Sequence, residues 1–309
     1  MPCYNNIIKN TRDTKHYEQM IPNQMINKLK DCEVDFMKPE SIAEQTLYNT
    51  VRLETLDGGS GTGFFFNFEI DGKSILMLVT NKHVVNNNPN ETMRFELHLM
   101  GDDHGDSGEN YLVTYQTQWL FHPTHDLCAT FTKPLFDEVY RRTGKRVFCR
   151  INEENLICDE EHLKELDALE SVLMVGYPRG LWDEIHNYPL FRKGFTASHP
   201  GYDFNERSIG VVDMACFPGS SGSPIFILDQ NGYTDKKGTH YIGKSRFILL
   251  GVLFQGPTIG VNGDISVVDV PTQQRAIVQS RMMMNLGYYI KSYELLAFKP
   301  MLKKFIDGE

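Results

Sequence analysis

From residue 47 onward the chain is written in short runs rich in β-branched and aromatic residues, each cut off by glycine, asparagine or aspartate. That pattern leaves room for strands and for little else. The runs of the first half are 47–56, 62–70, 74–80, 94–100, 111–118 and 126–131. A second set follows at 171–176, 190–196, 208–213, 223–228, 247–254 and 265–270, and then 287–291. Arg94-Phe-Glu-Leu-His-Leu99 alternates polar with apolar, as a strand with one wet face does. Two groups of about six strands predict an all-β fold of two six-stranded antiparallel barrels, the first over 47–135 and the second over 171–291.

The remaining segments read differently. Residues 1–46 are polar and of mixed charge, with helix-like spacing at Met25, Leu29 and Cys32, and form an N-terminal arm. Residues 136–170 connect the barrels. Within them Asp159, Glu160 and Glu161 stand ahead of Leu163, Leu166 and Leu169, which reads as a capped helix with acids at its positive end. Over 292–309, Ser292 caps a C-terminal helix through Phe298, and Pro300 either breaks it or opens a second one.

Composition narrows the functional classes. The net charge is -9, and basic clusters are as short as Lys303-Lys304, so a nucleic-acid partner is not expected. The apolar run 247–254 falls far short of the roughly 20 residues a membrane helix needs. Six cysteines show no CxxC pair, and the first residues lack a basic and apolar export signal, so free thiols and a cytoplasmic location are expected.

Three segments carry chemistry. In Phe217-Pro-Gly-Ser-Ser-Gly-Ser-Pro224, Gly219 and Gly222 permit a tight backbone around Ser221. A nucleophilic serine needs such a backbone, with amides beside it to receive an oxyanion; here they are those of Gly219 and Ser221. Taken alone, a Ser/Gly/Pro stretch is usually only a turn. In Leu78-Val-Thr-Asn-Lys-His-Val-Val85 a strand runs straight into His83, and in His125-Asp-Leu-Cys-Ala129 the carboxylate of Asp126 opens a strand. Either would be unremarked by itself. Together they arrive in the order His, Asp, Ser, separated by 43 residues (126 minus 83) and 95 residues (221 minus 126). An α/β-hydrolase would run Ser, Asp, His around a G-x-S-x-G elbow, and position 223 is serine.

The strings GSGTGFFF, VTNKHVV, HDLCATF and FPGSSGSPIF resemble those of trypsin/chymotrypsin-like serine peptidases, and VGYPRGLWDE and PLFRKGFTAS resemble a bacterial stand-alone cytosolic branch. The resemblance covers most of 47–298. It implies a chymotrypsin-like double barrel with the site in the cleft between barrels, His83 as general base, Asp126 as its orienting carboxylate and Ser221 as nucleophile of a serine endopeptidase. A catalytically silent barrel that binds other proteins is the alternative. The resemblance also puts Ala215 at the floor of the substrate pocket and Phe254, Gln255 and Gly256 along one wall. Ala215 offers no carboxylate to a lysine or arginine, so small or apolar residues are expected there, with Asp213 nearby as the reservation. Secreted relatives carry aspartate where this chain has Ser220, which is expected to hydrogen-bond locally and to leave activity independent of N-terminal cleavage.

No cofactor is expected. The expected partners are a protein or peptide substrate and a regulatory protein. Gly58-Gly-Ser-Gly-Thr-Gly63 lacks the Lys-Ser/Thr of a phosphate loop, and Met282-Met-Met284 reads as adaptable packing. His122 and His125 are spaced like a metal pair, but no third ligand is evident, and no metal is expected.

Overall fold

The computed structural model describes residues 39–178, 181–264 and 277–307. Most of the expected arm and the expected strand 265–270 lie outside the described residues. The description begins with a short helix, α1 (Ile42–Thr46), closed by a reciprocal capping box between Ser41 and Glu44.

The first strand set builds one sheet from β1 (Thr50–Thr55), β2 (Ser60–Ile70), β3 (Lys73–Thr80), β4 (Thr92–Met100), β5 (Asp106–Gln116), β6 (Leu120–Phe121), β7 (Cys128–Phe131) and β8 (Asn152–Glu153). Their order is β5-β4-β1-β2-β3-β7-β6, with β8 added parallel to β2. The sheet has eight strands where six runs were expected, because β6 and β8 are two-residue pairings too short to leave a pattern.

The second set closes on itself. It comprises β9 (Ser171–Gly176), β10 (Leu190–Thr196), β11 (Ile209–Asp213), β12 (Pro224–Asp229), β15 (Arg246–Gln255) and β18 (Leu286–Lys291). They form a closed barrel in the order β10-β11-β18-β15-β12-β9. Two separate hairpins, β13 (Gly232–Thr234) with β14 (His240–Ile242) and β16 (Thr258–Asp264) with β17 (Ile277–Met283), interrupt the chain between barrel strands.

Strand β2 shows why the pattern there is continuously apolar rather than alternating. Phe64, Phe66 and Phe68 pack with Phe226, Leu249 and Ile290 of the barrel and with Phe298 and Leu302 near the C-terminus. Phe65 points the other way, into the sheet's own core with Val51, Leu53, Leu78 and Phe95. Both faces of one strand are therefore buried, each contributing roughly 1.5–3 kcal/mol per large side chain, and the two halves of the molecule share a core.

Helices fill the joints. α2 (Thr132–Thr143) was not foreseen; its buried Leu135 and Val139 lie one turn apart, and Gly144 ends it at a φ of 71°. In α3 (Glu160–Glu165) Asp159 accepts the His162 amide, as its position predicted. Leu163 and Leu166 are buried, but Leu169 is exposed because the helix has already ended. A 3₁₀ turn (Ser292–Ala297) leads into α4 (Phe298–Asp307), so Pro300 sits in the first turn of a second helix, where its missing N–H costs nothing. Among the described residues no helix is long and apolar enough to cross a membrane.

A buried ion pair ties the barrel to the connector. Arg246 of β15 donates to both oxygens of Glu170, at 3.2 and 2.7 Å, and to Asp229 at 2.7 Å. The Glu170 side chain is 7% exposed, so its removal strands a cation with half its compensation. Glu170→Ala is expected to lower unfolding free energy by about 3 kcal/mol, measured as a fall in the guanidinium midpoint. A change below about 0.5 kcal/mol, the level of an exposed pair, would contradict this.

Candidate active site

Strand β3 ends at Thr80, and the chain turns through a 3₁₀ segment, Lys82–Val85. Val84 and Val85 are buried beneath this turn while the His83 side chain stays 41% exposed. Two apolar neighbours thus hold down the turn and leave the imidazole free to face solvent. Its Nδ1 is 2.6 Å from Asp126 Oδ2, and its backbone amide donates to Oδ1 at 3.2 Å. Burial alone would raise the Asp126 pKa, but the hydrogen bonds from the His83 ring and backbone outweigh it and hold the carboxyl below its ordinary value. The ionised carboxylate fixes the proton on Nδ1, so the lone pair of the neutral ring lies on Nε2.

The loop carrying Asp126 is held from two sides. Asn81, fully buried, donates Nδ2–H to the Asp126 carbonyl at 2.7 Å. His122, also buried, accepts the amides of Thr124 and His125 on its Nδ1, at 3.2 and 2.9 Å. Neither role was read from the sequence. The available signal was polarity out of place: Thr80-Asn81 at the end of an otherwise apolar strand.

Ser221 sits in the turn between β11 and β12. Its carbonyl accepts the Thr62 amide at 2.8 Å, and Thr62 Oγ1 donates to the Gly219 carbonyl at 3.1 Å. Thr80 Oγ1 in turn donates to the Thr62 carbonyl at 2.7 Å. The serine turn is thereby bonded to β2, and through Thr80 to the strand that delivers His83. The structure thus brings His83 directly to Asp126 and attaches Ser221 to the same scaffold. Among the described residues no hydrogen bond reaches Ser221 Oγ, which is half-buried.

The amides of this turn are selectively used. Those of Ser220, Gly222 and Ser223 donate to the carbonyls of Phe217, Leu253 and Ser220. Those of Gly219 and Ser221 donate to no described acceptor. Gly219, at a φ of 90°, adopts the left-handed backbone that glycine tolerates. The hydroxyl of Ser220 departs from expectation: it is buried and finds no hydrogen-bond partner.

Gly222 is under the tightest constraint. A Cβ there would lie 1.9 Å from the Thr62 carbonyl oxygen and 2.4 Å from Thr80 Oγ1, at a φ of 85°. Gly222→Ala is therefore expected to push the turn off Thr62 and to abolish labelling of Ser221 by a phosphonate, whereas Gly58→Ala, at a similar φ of 90° but with nothing within 4 Å of the added Cβ, should not. Equal labelling of the two variants would refute this account of the turn.

The expected pocket residues converge on one end of the barrel. Asp213 at the end of β11 pairs with Leu286, and Gln255 at the end of β15 pairs with Tyr288. Ala215 and Phe254 to Gly256 consequently flank the start of β18 from either side. All are half-buried except Gln255, which is exposed. A Cβ on Gly287 would lie 2.5 Å from Cys216 Sγ, so the glycine leaves room where these loops meet.

A third candidate ligand does join His122 and His125, contrary to expectation: Glu294, from the 3₁₀ turn after β18, with ligand atoms of all three within 4.8 Å. The distance in sequence hid it. The donor chemistry nevertheless does not fit a metal. His122 Nδ1 already accepts two amides, so its proton resides on Nε2, the atom facing Glu294 at 3.4 Å. A metal on Nε2 needs that lone pair and an Nδ1–H pointing outward. The cluster instead fastens the Asp126 loop to the C-terminal segment.

The class that this architecture defines is mostly β: a closed six-stranded barrel sharing a core with a second sheet, followed by a C-terminal helix. Its similarities to known proteins are structural. No protein-family description and no curated protein matches the chain. Among solved structures it is similar to a human astrovirus serine protease, at 14% identity and a TM-score of 0.37, covering 79% of this chain and 88% of that one. It is also similar to a scabies-mite inactivated protease paralogue, at 12% identity and a TM-score of 0.42, covering 86% and 97%. A thermostable serine protease from an extremophilic microorganism matches at 12% identity and a TM-score of 0.41, covering 84% and 98%.

Proposed function

We propose that the chain is a serine endopeptidase of the trypsin/chymotrypsin type, acting in the cytoplasm, where the free thiols of Cys128, Cys149, Cys158 and Cys216 would remain reduced. The observation that carries this reading is the pair of undonated amides, those of Gly219 and Ser221, on a turn bonded to β2 and, through Thr80, linked to the strand that delivers His83 to Asp126.

In this mechanism Ser221 Oγ attacks the peptide carbonyl while His83 Nε2 takes the hydroxyl proton. The carbonyl oxygen becomes an alkoxide that accepts both free amides, which require no reorganisation as the charge develops. His83 then returns the proton to the leaving amine, and an ester to Ser221 remains. Water, deprotonated by the same nitrogen, releases the acid and restores the serine. Asp126 stays anionic throughout and stabilises the imidazolium.

The test is covalent. A diphenyl phosphonate is expected to add to the intact protein once, with the adduct mapped to Ser221 by peptide mass spectrometry. A folded chain that takes no label at Ser221, with phosphonates of several side chains, would instead be a silent barrel that binds proteins.

A further inference from the structure

Beside the serine turn stands an arginine with no anion. Arg192 belongs to β10 and pairs across the ladder with Met174, whose side chain is buried in the barrel core with Met214 and Cys216. Neighbours in register share a face, so Arg192 is directed toward the barrel end rather than outward like Phe191 and Lys193, which are exposed. The β10–β11 pairing begins at Phe195↔Asp213, and a Cβ added at Gly194 would meet the Asp213 carbonyl and Met214, so this part of β10 lies beside the chain that leads to Cys216. Its guanidinium carbon lies 4.8 Å from the centre of the Phe217 ring.

Among the described residues the Arg192 side chain has no ion pair and no hydrogen bond, and its Nε is buried without an acceptor. A donor left uncompensated in such a position destabilises the fold unless a ligand supplies the acceptor. Among the described residues Arg246 is paired with two carboxylates, Lys291 with Asp203 and Lys299 with Glu154; half-buried Lys82 has no ion pair either and lies over the Phe121 ring. Asp213, the acid nearest along β11, is exposed and makes no salt bridge with it.

We infer that Arg192 is a specificity-determining residue: it receives the carboxylate of an aspartate or glutamate side chain on the acyl side of the scissile bond. This rests on the peptidase reading and replaces the small or apolar preference expected from Ala215 with an acidic one. Ala215 offers no charge to oppose an acid, Phe217 and Phe254 supply apolar walls for its methylenes, and the guanidinium completes the buried Nε donor when the side chain enters. A planar fork suits a carboxylate better than a lysine ammonium would.

The experiment uses the full chain and a library of peptide anilides that vary the residue before the scissile bond, with Glu- and Leu-bearing phosphonates as parallel probes. Acidic substrates are expected to be cut best. Arg192→Gln should cut the ratio of kcat/KM for glutamate over leucine about 10- to 100-fold. Arg192→Lys should recover part of it, and Arg192→Glu should move the preference toward lysine. Guanidinium unfolding checks that each variant folds; if Arg192→Gln does not, the parent's own ratio and the lysine variant decide. Parent cleavage with no preference for acids, or an acid preference unchanged in Arg192→Gln, overturns the assignment of Arg192 alone. Failure of every substrate and both phosphonates overturns the peptidase reading as well.

Discussion

Replacing Ser221 with alanine is expected to lower kcat/KM for peptide esters by about 10⁶, leaving the unfolding midpoint within experimental error of the parent. The activity loss follows from the mechanism, since the other hydroxyls of the turn, those of Ser220 and Ser223, are fully buried. The unchanged stability follows from how the turn is held. Thr62 binds the carbonyl of Ser221, not its hydroxyl, and Thr62 Oγ1 binds the carbonyl of Gly219. Those bonds survive the substitution, and no described partner loses a hydrogen bond to Oγ. His83→Ala should cost a similar factor, and the double variant little more, because the two groups act as one unit. Folded Ser221→Ala protein that turns over esters at the parental rate would end the peptidase reading.

Asp126→Asn is expected to cost about 10⁴ in kcat, through the position of one proton. The carboxylate now accepts twice, from the His83 amide at Oδ1 and from Nδ1 at Oδ2. Asparagine keeps a single acceptor. If its oxygen stays with the His83 amide, its NH₂ faces Nδ1, and the ring must accept there and carry its proton on Nε2. An Nε2–H cannot take a proton from Ser221. The fold should be undisturbed, since Asn81 binds the carbonyl of residue 126 rather than its side chain. Stopped-flow measurement of the acylation burst separates this from a loss of substrate binding: the burst rate should fall while KM stays near the parent's. A variant that keeps the parental burst rate would remove Asp126 from the mechanism.

Strand composition was legible because β-branched and aromatic runs between turn residues have few other uses. The second set accordingly closes as a barrel, and the Asp159 cap and the helix that holds Pro300 in its first turn follow local rules. α2 was hidden because its two buried apolar positions, Leu135 and Val139, are too few to impose a helical period on a polar stretch. The two-residue strands β6 and β8 are set by their partners, not by their own residues.

The candidate site divides along the same line. Residue types and their order identified His83, Asp126 and Ser221 as candidates, because acyl transfer needs a base, an anion and a hydroxyl, and each stands at a strand end or turn that its neighbours dictate. Distances did not follow from order. That Thr62 ties the serine turn to β2, that Thr80 passes the tie to the strand of His83, and that Glu294 meets His122 from the far end of the chain are contacts between segments remote in sequence. So is the isolation of Arg192: one charged residue in an ordinary strand looks like a solvated one until the barrel closes and leaves it without an ion pair among the described residues. Local propensity decides which elements form, because it acts through neighbouring residues. Which polar groups end up paired and which are left waiting is decided only when the sheets pack, because burial is what makes an unpaired charge costly.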